Sequence, residues 1–216
     1  MTADICGSNA TGAAGLTGVP SGLLTAMALT ESGTTRYGSF KAWPWTINEG
    51  GKGSWFATKA EAVAHARQLV ASGVRNFDVG CFQLNYHWHG SAFSDVSAMF
   101  DPGANAHYAA RFLAALHAEF GDWKEASKAY HSRTPELAGI YWTKVAANLR
   151  KLGSSLPDSL LAEAPASSQN RAPSGSASRP NAYPFLVAEV RSARLGSLVP
   201  IHGGTARPSL FQPVGK

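Results

Sequence analysis

The stretch Leu23-Leu24-Thr25-Ala26-Met27-Ala28-Leu29-Thr30-Glu31-Ser32-Gly33 is an apolar run that closes on a carboxylate, and its reading decides the fold. Pro20 suits the first turn of a helix and Gly33 its stop, which predicts a helix from about residue 20 to about residue 32. Leu24, Met27, Ala28 and Glu31 then fall at i, i+3, i+4 and i+7, turning the Glu31 carboxyl toward the core. Low local polarity and the negative end of the helix dipole both disfavour the ionised form, so this group should hold its proton near neutral pH and could donate it. The competing reading is an ordinary surface glutamate at a frayed helix end.

Outward from this segment, residues 41–58 change character. Trp43-Pro44-Trp45-Thr46-Ile47-Asn48 and Trp55-Phe56-Ala57-Thr58 flank the turn Glu49-Gly50-Gly51-Lys52-Gly53, which predicts a β-hairpin. Thr58-Lys59-Ala60-Glu61 has capping-box spacing and opens a helix through about Ala71, stopped by Gly73. Asp101-Pro102 begins another, with Ala109, Phe112, Leu113, Leu116 and Phe120 as its apolar face and Gly121 after it. Asp122-Trp123-Lys124-Glu125 caps a short helix. Thr134-Pro135 starts the last, whose stripe is Leu137, Tyr141, Val145, Leu149 and Leu152, ending at Gly153. The chain therefore reads as mainly α, a helical domain over 1–153 with a small β-hairpin lobe.

From Ser154 the pattern dissolves into Ala, Ser, Pro and Gly, so 154–182 reads as a linker that cannot bury enough to order itself. Residues 183–216 carry Phe185, Leu186, Val187, Val190, Leu195 and Leu198 among turn formers, too little for a domain but suited to a segment that docks on a protein partner. With 216 residues, 44% hydrophobic, one good core is expected. The formal charge of +5 favours an anionic polymer, yet no basic cluster longer than Arg150-Lys151 supports nucleic-acid binding. No apolar segment is long enough for a transmembrane span. Cys6 and Cys81 are compatible with one bridge in an oxidising compartment or with two buried thiols, and the bridge is favoured. Met1-Thr2-Ala3-Asp4 shows no basic stretch leading an apolar core, so either a leader has been removed or export is wrong.

Three separated pieces gain meaning in order: Glu31-Ser32, then Asp78-Val79-Gly80-Cys81-Phe82-Gln83-Leu84-Asn85, then Ala129-Tyr130-His131-Ser132. This order resembles the soluble lytic transglycosylase family: a helix-terminal Glu-Ser, a Gly-x-x-Gln-aliphatic motif, and an Ala-Tyr-Asn/His motif. The resemblance covers residues 19 to about 150. It implies a lysozyme-like fold, a periplasmic location, bacterial peptidoglycan as substrate, and no metal or organic cofactor. It further implies Glu31 as the catalytic acid and base, with Ser32, Gln83, Asn85, Tyr130 and His131 around the substrate. Gln83 would hydrogen-bond a sugar substituent, or else satisfy backbone groups in its turn. Tyr130 would sit beside Glu31 and orient it, or else be a core aromatic. Ser32 would support Glu31 or cap the helix end. Trp43, Trp45, Trp55, Tyr86 and Trp88 could stack on sugars, although packing accounts for at least half of them. Departures are the long insert between Glu31 and Gly80, Asn85 where an apolar residue is common, and His131 where Asn is usual.

Such a family member would cut local gaps in the wall for an envelope-spanning assembly such as a flagellum or secretion system, recruited through the tail. The rival within enzymes is a hydrolytic muramidase with Asp78 activating water, although an acid just before the Val79-Gly80 turn is expected to bond nearby backbone amides. A non-catalytic wall-binding module is the rival from another class. A zinc site, prompted by His87-Trp88-His89 and His131, is set aside because two histidines at i, i+2 without a clear third ligand are a weak signal.

Overall fold

The computed structural model describes residues 4–36 and 38–153. The linker at 154–182 and the docking tail at 183–216 lie outside the described residues. The helix that carries Glu31 is present as α2, Ser21–Ser32, with Leu23, Leu24 and Met27 fully buried on its core face. Each contributes about 1.5–3 kcal/mol of apolar burial. Pro20 stands one residue earlier than expected, as the N-cap. Gly33 ends the helix without adopting a left-handed conformation: it opens strand β1, Gly33–Arg36, which pairs antiparallel with β2, Ser39–Ala42.

Ahead of α2 stands a helix that the sequence reading missed, α1, Ile5–Thr17. Its inward face is Cys6, Gly7, Ala10, Ala13 and Ala14, small residues that present no large apolar stripe but let α1 lie close against α2 and α6. The expected hairpin is narrower than its flanking aromatics implied. Strands β3, Thr46–Glu49, and β4, Lys52–Trp55, pair around Gly50-Gly51, both at positive φ, the two-residue turn that matches strand twist. Strand β5, Phe77–Val79, adds to β3, and β6, Leu84–Asn85, adds to β5, giving a four-stranded antiparallel sheet in the order β4-β3-β5-β6.

The remaining helices follow the sequence signals closely, apart from the two four-residue helices, which the sequence reading missed. Helix α3, Lys59–Ala71, carries both hydrogen bonds of the Thr58/Glu61 capping box. The short α4, Tyr86–His89, and α5, Val96–Met99, precede α6, Pro102–Phe120, which Asp101 caps. Phe120, expected on the buried face of α6, is exposed, with the Arg133 guanidinium 5.2 Å from its ring centre. Helices α7, Trp123–His131, and α8, Pro135–Lys151, complete the domain. Leu152, expected at the end of the α8 stripe, is also exposed, because the helix has closed before it. The fold is mainly α with small β-sheets, as read from the sequence. Among the described residues, no helix is long and apolar enough to cross a membrane.

Two features fix the sheet against the helices. Cys6 of α1 and Cys81 of the loop between β5 and β6 are joined by a disulfide, with their Cα atoms 5.6 Å apart. Asn105 of α6, fully buried, accepts from Phe82 N (3.0 Å) and donates to Met99 O (3.0 Å) and Val79 O (3.2 Å). Gly80 is required between them: its φ is +82°, and an added Cβ would lie 2.6 Å from the Asn105 amide nitrogen.

Candidate active site

Glu31 emerges at the C-terminal end of α2 into a cavity of about 260 Å³. One wall comes from the hairpin β3–β4 through Thr46, Asn48, Gly51, Gly53 and Trp55. Another comes from α8 through Leu137, Ile140, Tyr141 and Lys144. Asp78, Gln83 and His131 also line the space. The Glu31 residue keeps some exposure at the cavity, but its Oε1 is buried and has no hydrogen-bond partner among the described residues. Burial pushes its pKa from 4.5 up to about 8. The Tyr141 hydroxyl pulls the other way, because a donor beside the carboxyl favours its ionised form; Asp78 adds to the rise and Lys144 opposes it. The protonated state expected from the α2 sequence thus arises first from desolvation, with the neighbours on β5 and α8 trimming it.

Tyr141 was read only as part of a core stripe. Its hydroxyl is buried and, like Glu31 Oε1, without a hydrogen-bond partner among the described residues. Burial and the adjacent Glu31 hold its pKa well above the ordinary 10, so the hydroxyl keeps its proton and is a standing donor. The His131 ring stacks on it, with centroids 4.5 Å apart and planes at 2°. Burial, helped by Lys144, lowers the His131 pKa to about 4, so this imidazole is neutral at pH 7. A tyrosine inside an apolar stripe needs a partner for its hydroxyl. That requirement, and the Leu137-Ile140-Tyr141-Lys144 spacing of one helical face, were the available signals.

The motif tyrosine behaves differently. Tyr130 is fully buried, donates its hydroxyl to Phe82 O at 3.0 Å, and does not line the cavity. Its hydrogen is committed to the loop backbone rather than to Glu31. Ser32 is committed in the same way. Its hydroxyl is buried and bonds Cys81 O (2.8 Å), with Ala28 O (3.2 Å) as the alternative acceptor, which ties the end of α2 to the β5–β6 loop. Asn85, expected at the substrate, is fully buried, donates to Asn76 Oδ1 and Asp78 Oδ1 (both 2.8 Å), and caps α4 through His87 N.

Gln83 lines the cavity and also serves the backbone. It is the single non-glycine residue at positive φ among those described (47°), and its Nε2 donates to Gly80 O at 3.0 Å and Thr46 O at 3.4 Å. Asp78 departs from expectation. Rather than standing in a turn, it lies in β5 with its carboxylate accepting from the side-chain amides of Asn48 (3.2 Å) and Asn85 (2.8 Å), and it lines the cavity.

Of the five candidate stacking aromatics, Trp55 alone lines the cavity, at 42% exposure. Its ring lies over Gly53, where a Cβ would come within 2.7 Å, and its Nε1 donates to Ser32 O at 3.5 Å. Trp43 is buried, donating to Phe56 O at 2.7 Å, and Trp45 packs on the core. Tyr86 stacks on Phe77 and Trp88 meets His87 edge to face. His89 is buried against the Tyr108 hydroxyl at 2.9 Å. Among the described residues, no three His, Cys, Asp or Glu side chains gather at metal-binding separation.

A family model for the transglycosylase SLT domain matches residues 8–136. The chain belongs to that family. No curated protein and no solved structure matches it. SLT membership supports lytic transglycosylase activity in general, implies peptidoglycan as substrate, and suggests an extracytoplasmic location. The match takes in Glu31, Asp78, Gln83 and His131 but stops before Leu137, so the SLT span contains the acid while much of the α8 wall lies beyond it.

Proposed function

We propose that this SLT domain is a periplasmic lytic transglycosylase that cleaves the β-1,4 bond between N-acetylmuramic acid and N-acetylglucosamine and leaves a 1,6-anhydromuramoyl end. The observation that carries this reading is the buried Glu31 carboxyl, raised to a pKa of about 8 with the Tyr141 hydroxyl beside it, opening on a cavity. As an acid at neutral pH, Glu31 protonates the glycosidic oxygen while the C1–O bond breaks. The oxocarbenium-like centre is assisted by the substrate's own N-acetyl group, an exception to the two-carboxylate scheme. The Glu31 carboxylate then takes the proton of the C6 hydroxyl as that oxygen attacks C1, and the enzyme returns to its starting state. Tyr141 is the donor that stabilises the transient carboxylate, and neutral His131 holds the Tyr141 ring by stacking. Gln83 and Trp55 are the polar and aromatic contacts for the sugar strand. In the cell, the reaction opens local gaps in the wall for an envelope-spanning assembly, reached through the C-terminal tail as docking segment.

A second reading has a specific observation in its favour. Asp78 lines the same cavity and is oriented by two amide donors, as a base for water would be. The experiment is digestion of purified peptidoglycan by wild type, Glu31→Gln and Asp78→Asn, with mass analysis of the muropeptides. Anhydro ends that vanish with Glu31→Gln are expected; reducing ends that vanish with Asp78→Asn would make the protein a hydrolytic muramidase. No lysis by wild type would leave a wall-binding module, and lysis that persists in Glu31→Gln would remove Glu31 from the chemistry.

A further inference from the structure

The face of α8 turned to the cavity is Leu137, Ile140, Tyr141 and Lys144, one residue per turn or near it. Three of these are apolar or aromatic, and Ile140 is left half in solvent. Lys144 is the only lysine or arginine among the lining residues, and among the described residues it has neither an ion pair nor an aromatic ring against it. Its neighbours differ: Lys124 lies over Trp142, Lys128 is paired with Glu125, and Lys151 lies over Phe40. Lys144 is solvent-exposed at the cavity edge and near enough to Glu31 to oppose the rise in its pKa, so its ammonium is placed to read a charge that arrives with the ligand. Asp78 is occupied by the amides of Asn48 and Asn85.

We infer that Lys144 is a specificity-determining residue that binds the carboxylate of the muramoyl lactyl group, so that the site favours glycan whose lactyl groups are free of stem peptide. The inference rests on the reading of the cavity as a peptidoglycan site and deepens it. The lactyl carboxylate is separated from the sugar ring by only an ether oxygen and one carbon, whereas stem-peptide carboxylates lie many bonds further out, so the lactyl group stands in the more nearly fixed relation to the bond at Glu31. Leu137 and Ile140 supply the apolar surface on which the ring rests, with the cation one turn further along the helix. Because α8 beyond residue 136 lies outside the family match, this preference belongs to this chain's own wall rather than to the matched SLT span.

The test is binding, measured by calorimetry on a Glu31→Gln background so that nothing is turned over; at neutral pH glutamine stands in for the protonated acid. Three ligands are compared: an alternating tetrasaccharide with free lactyl carboxylates, the same tetrasaccharide with lactyl carboxamides, and one whose lactyl groups carry stem peptides. The free acid should bind about 3- to 5-fold more tightly than the carboxamide at low salt, the range of an exposed ion pair, and the difference should shrink at high salt. Adding Lys144→Met should erase the preference and Lys144→Arg should keep it. Equal affinities, a preference that survives Lys144→Met, tighter binding of the peptide-bearing glycan, or no binding of any of the three overturns the inference. Failure of the wild type to release lytic products from peptidoglycan would instead overturn the proposed activity, whatever the carboxylate preference.

Discussion

Tyr130 and Tyr141 are both wholly buried and both lie within the electrostatic reach of Glu31, yet they belong to regions built on opposite terms. Around Tyr130, the β5–β6 loop is closed: Tyr130 bonds Phe82 O, Asn105 bonds Phe82 N and Val79 O, Ser32 bonds Cys81 O, and Cys81 is bridged to Cys6. Around Tyr141, the polar atoms are turned to each other and to the cavity: its hydroxyl lies beside the Glu31 carboxyl, and neither it nor Glu31 Oε1 is bonded into the rest of the fold. A buried polar group left unbonded costs about 1–3 kcal/mol, and such groups persist where a ligand or a reaction uses them. The first region holds the acid in place; the second surrounds it with unused chemistry.

The largest expected effect tests the open region directly. Glu31→Gln should lower anhydro-product formation by about 10² to 10⁴-fold, the range for loss of a general acid-base group, read by muropeptide analysis. A smaller loss would strip Glu31 of its role and leave the open region without a purpose.

The closed region is sharpened by removing its bridge. The Cys6–Cys81 disulfide spans 75 residues, and Cys6→Ser with Cys81→Ser should cost about 4 kcal/mol of stability by the loop-entropy model, measured by denaturant unfolding. A loss below ~1 kcal/mol would mean that the hydrogen bonds of Asn105, Ser32 and Tyr130 suffice by themselves.

The two tyrosines can then be set against each other. Tyr130→Phe leaves Phe82 O unpaired and should destabilise the fold by about 1–3 kcal/mol, while activity per folded molecule stays near wild type. Tyr141→Phe removes a hydroxyl that faces the Glu31 carboxyl rather than the rest of the fold, so the melting temperature should stay near wild type, while kcat falls by about tenfold, the worth of one hydrogen bond to a charge. Because Tyr141 lowers the Glu31 pKa, its removal should also move the alkaline limb of the pH–rate profile upward from about 8. The reverse assignment of stability and activity would break the comparison.

The subtlest effect is the pH dependence of stability. Glu31 has a folded pKa raised from 4.5 to about 8, so its contribution is complete below 4.5, is lost as pH rises toward 8, and is flat beyond. Glu31→Gln should therefore melt close to wild type at pH 4 and be more stable at pH 8 by about 2–4 kcal/mol. Equal melting at both pH values would mean that the carboxyl is solvated in the native state.

Local signals in the sequence went far toward this structure. The periodicity of 24–31, the Thr58/Glu61 capping box, Asp101-Pro102 and the Gly121 stop each determine a helix through contacts within a few residues, and each appears where it was read. Helix α1 escaped notice because its inward face is glycine and alanine, which bury little area and leave no apolar stripe. Candidate site residues were legible as types and in order, and Glu31, Gln83 and His131 do line one cavity.

By itself the sequence determined the five helices α2, α3, α6, α7 and α8, the hairpin, and a carboxyl at the end of an apolar stripe, because period, caps and turns act over short stretches of chain. Only the tertiary structure decided which polar atoms remain unbonded around that carboxyl. Ser32, Asn85 and Tyr130 have the chemistry of a binding site, but loop backbone and neighbouring side chains reach them first. Tyr141 and Lys144 reach the cavity because α8 packs against α2 and α7, bringing residues more than 100 positions from Glu31 to its side. Hydrogen-bond satisfaction is a property of the folded whole, and no local pattern encodes it.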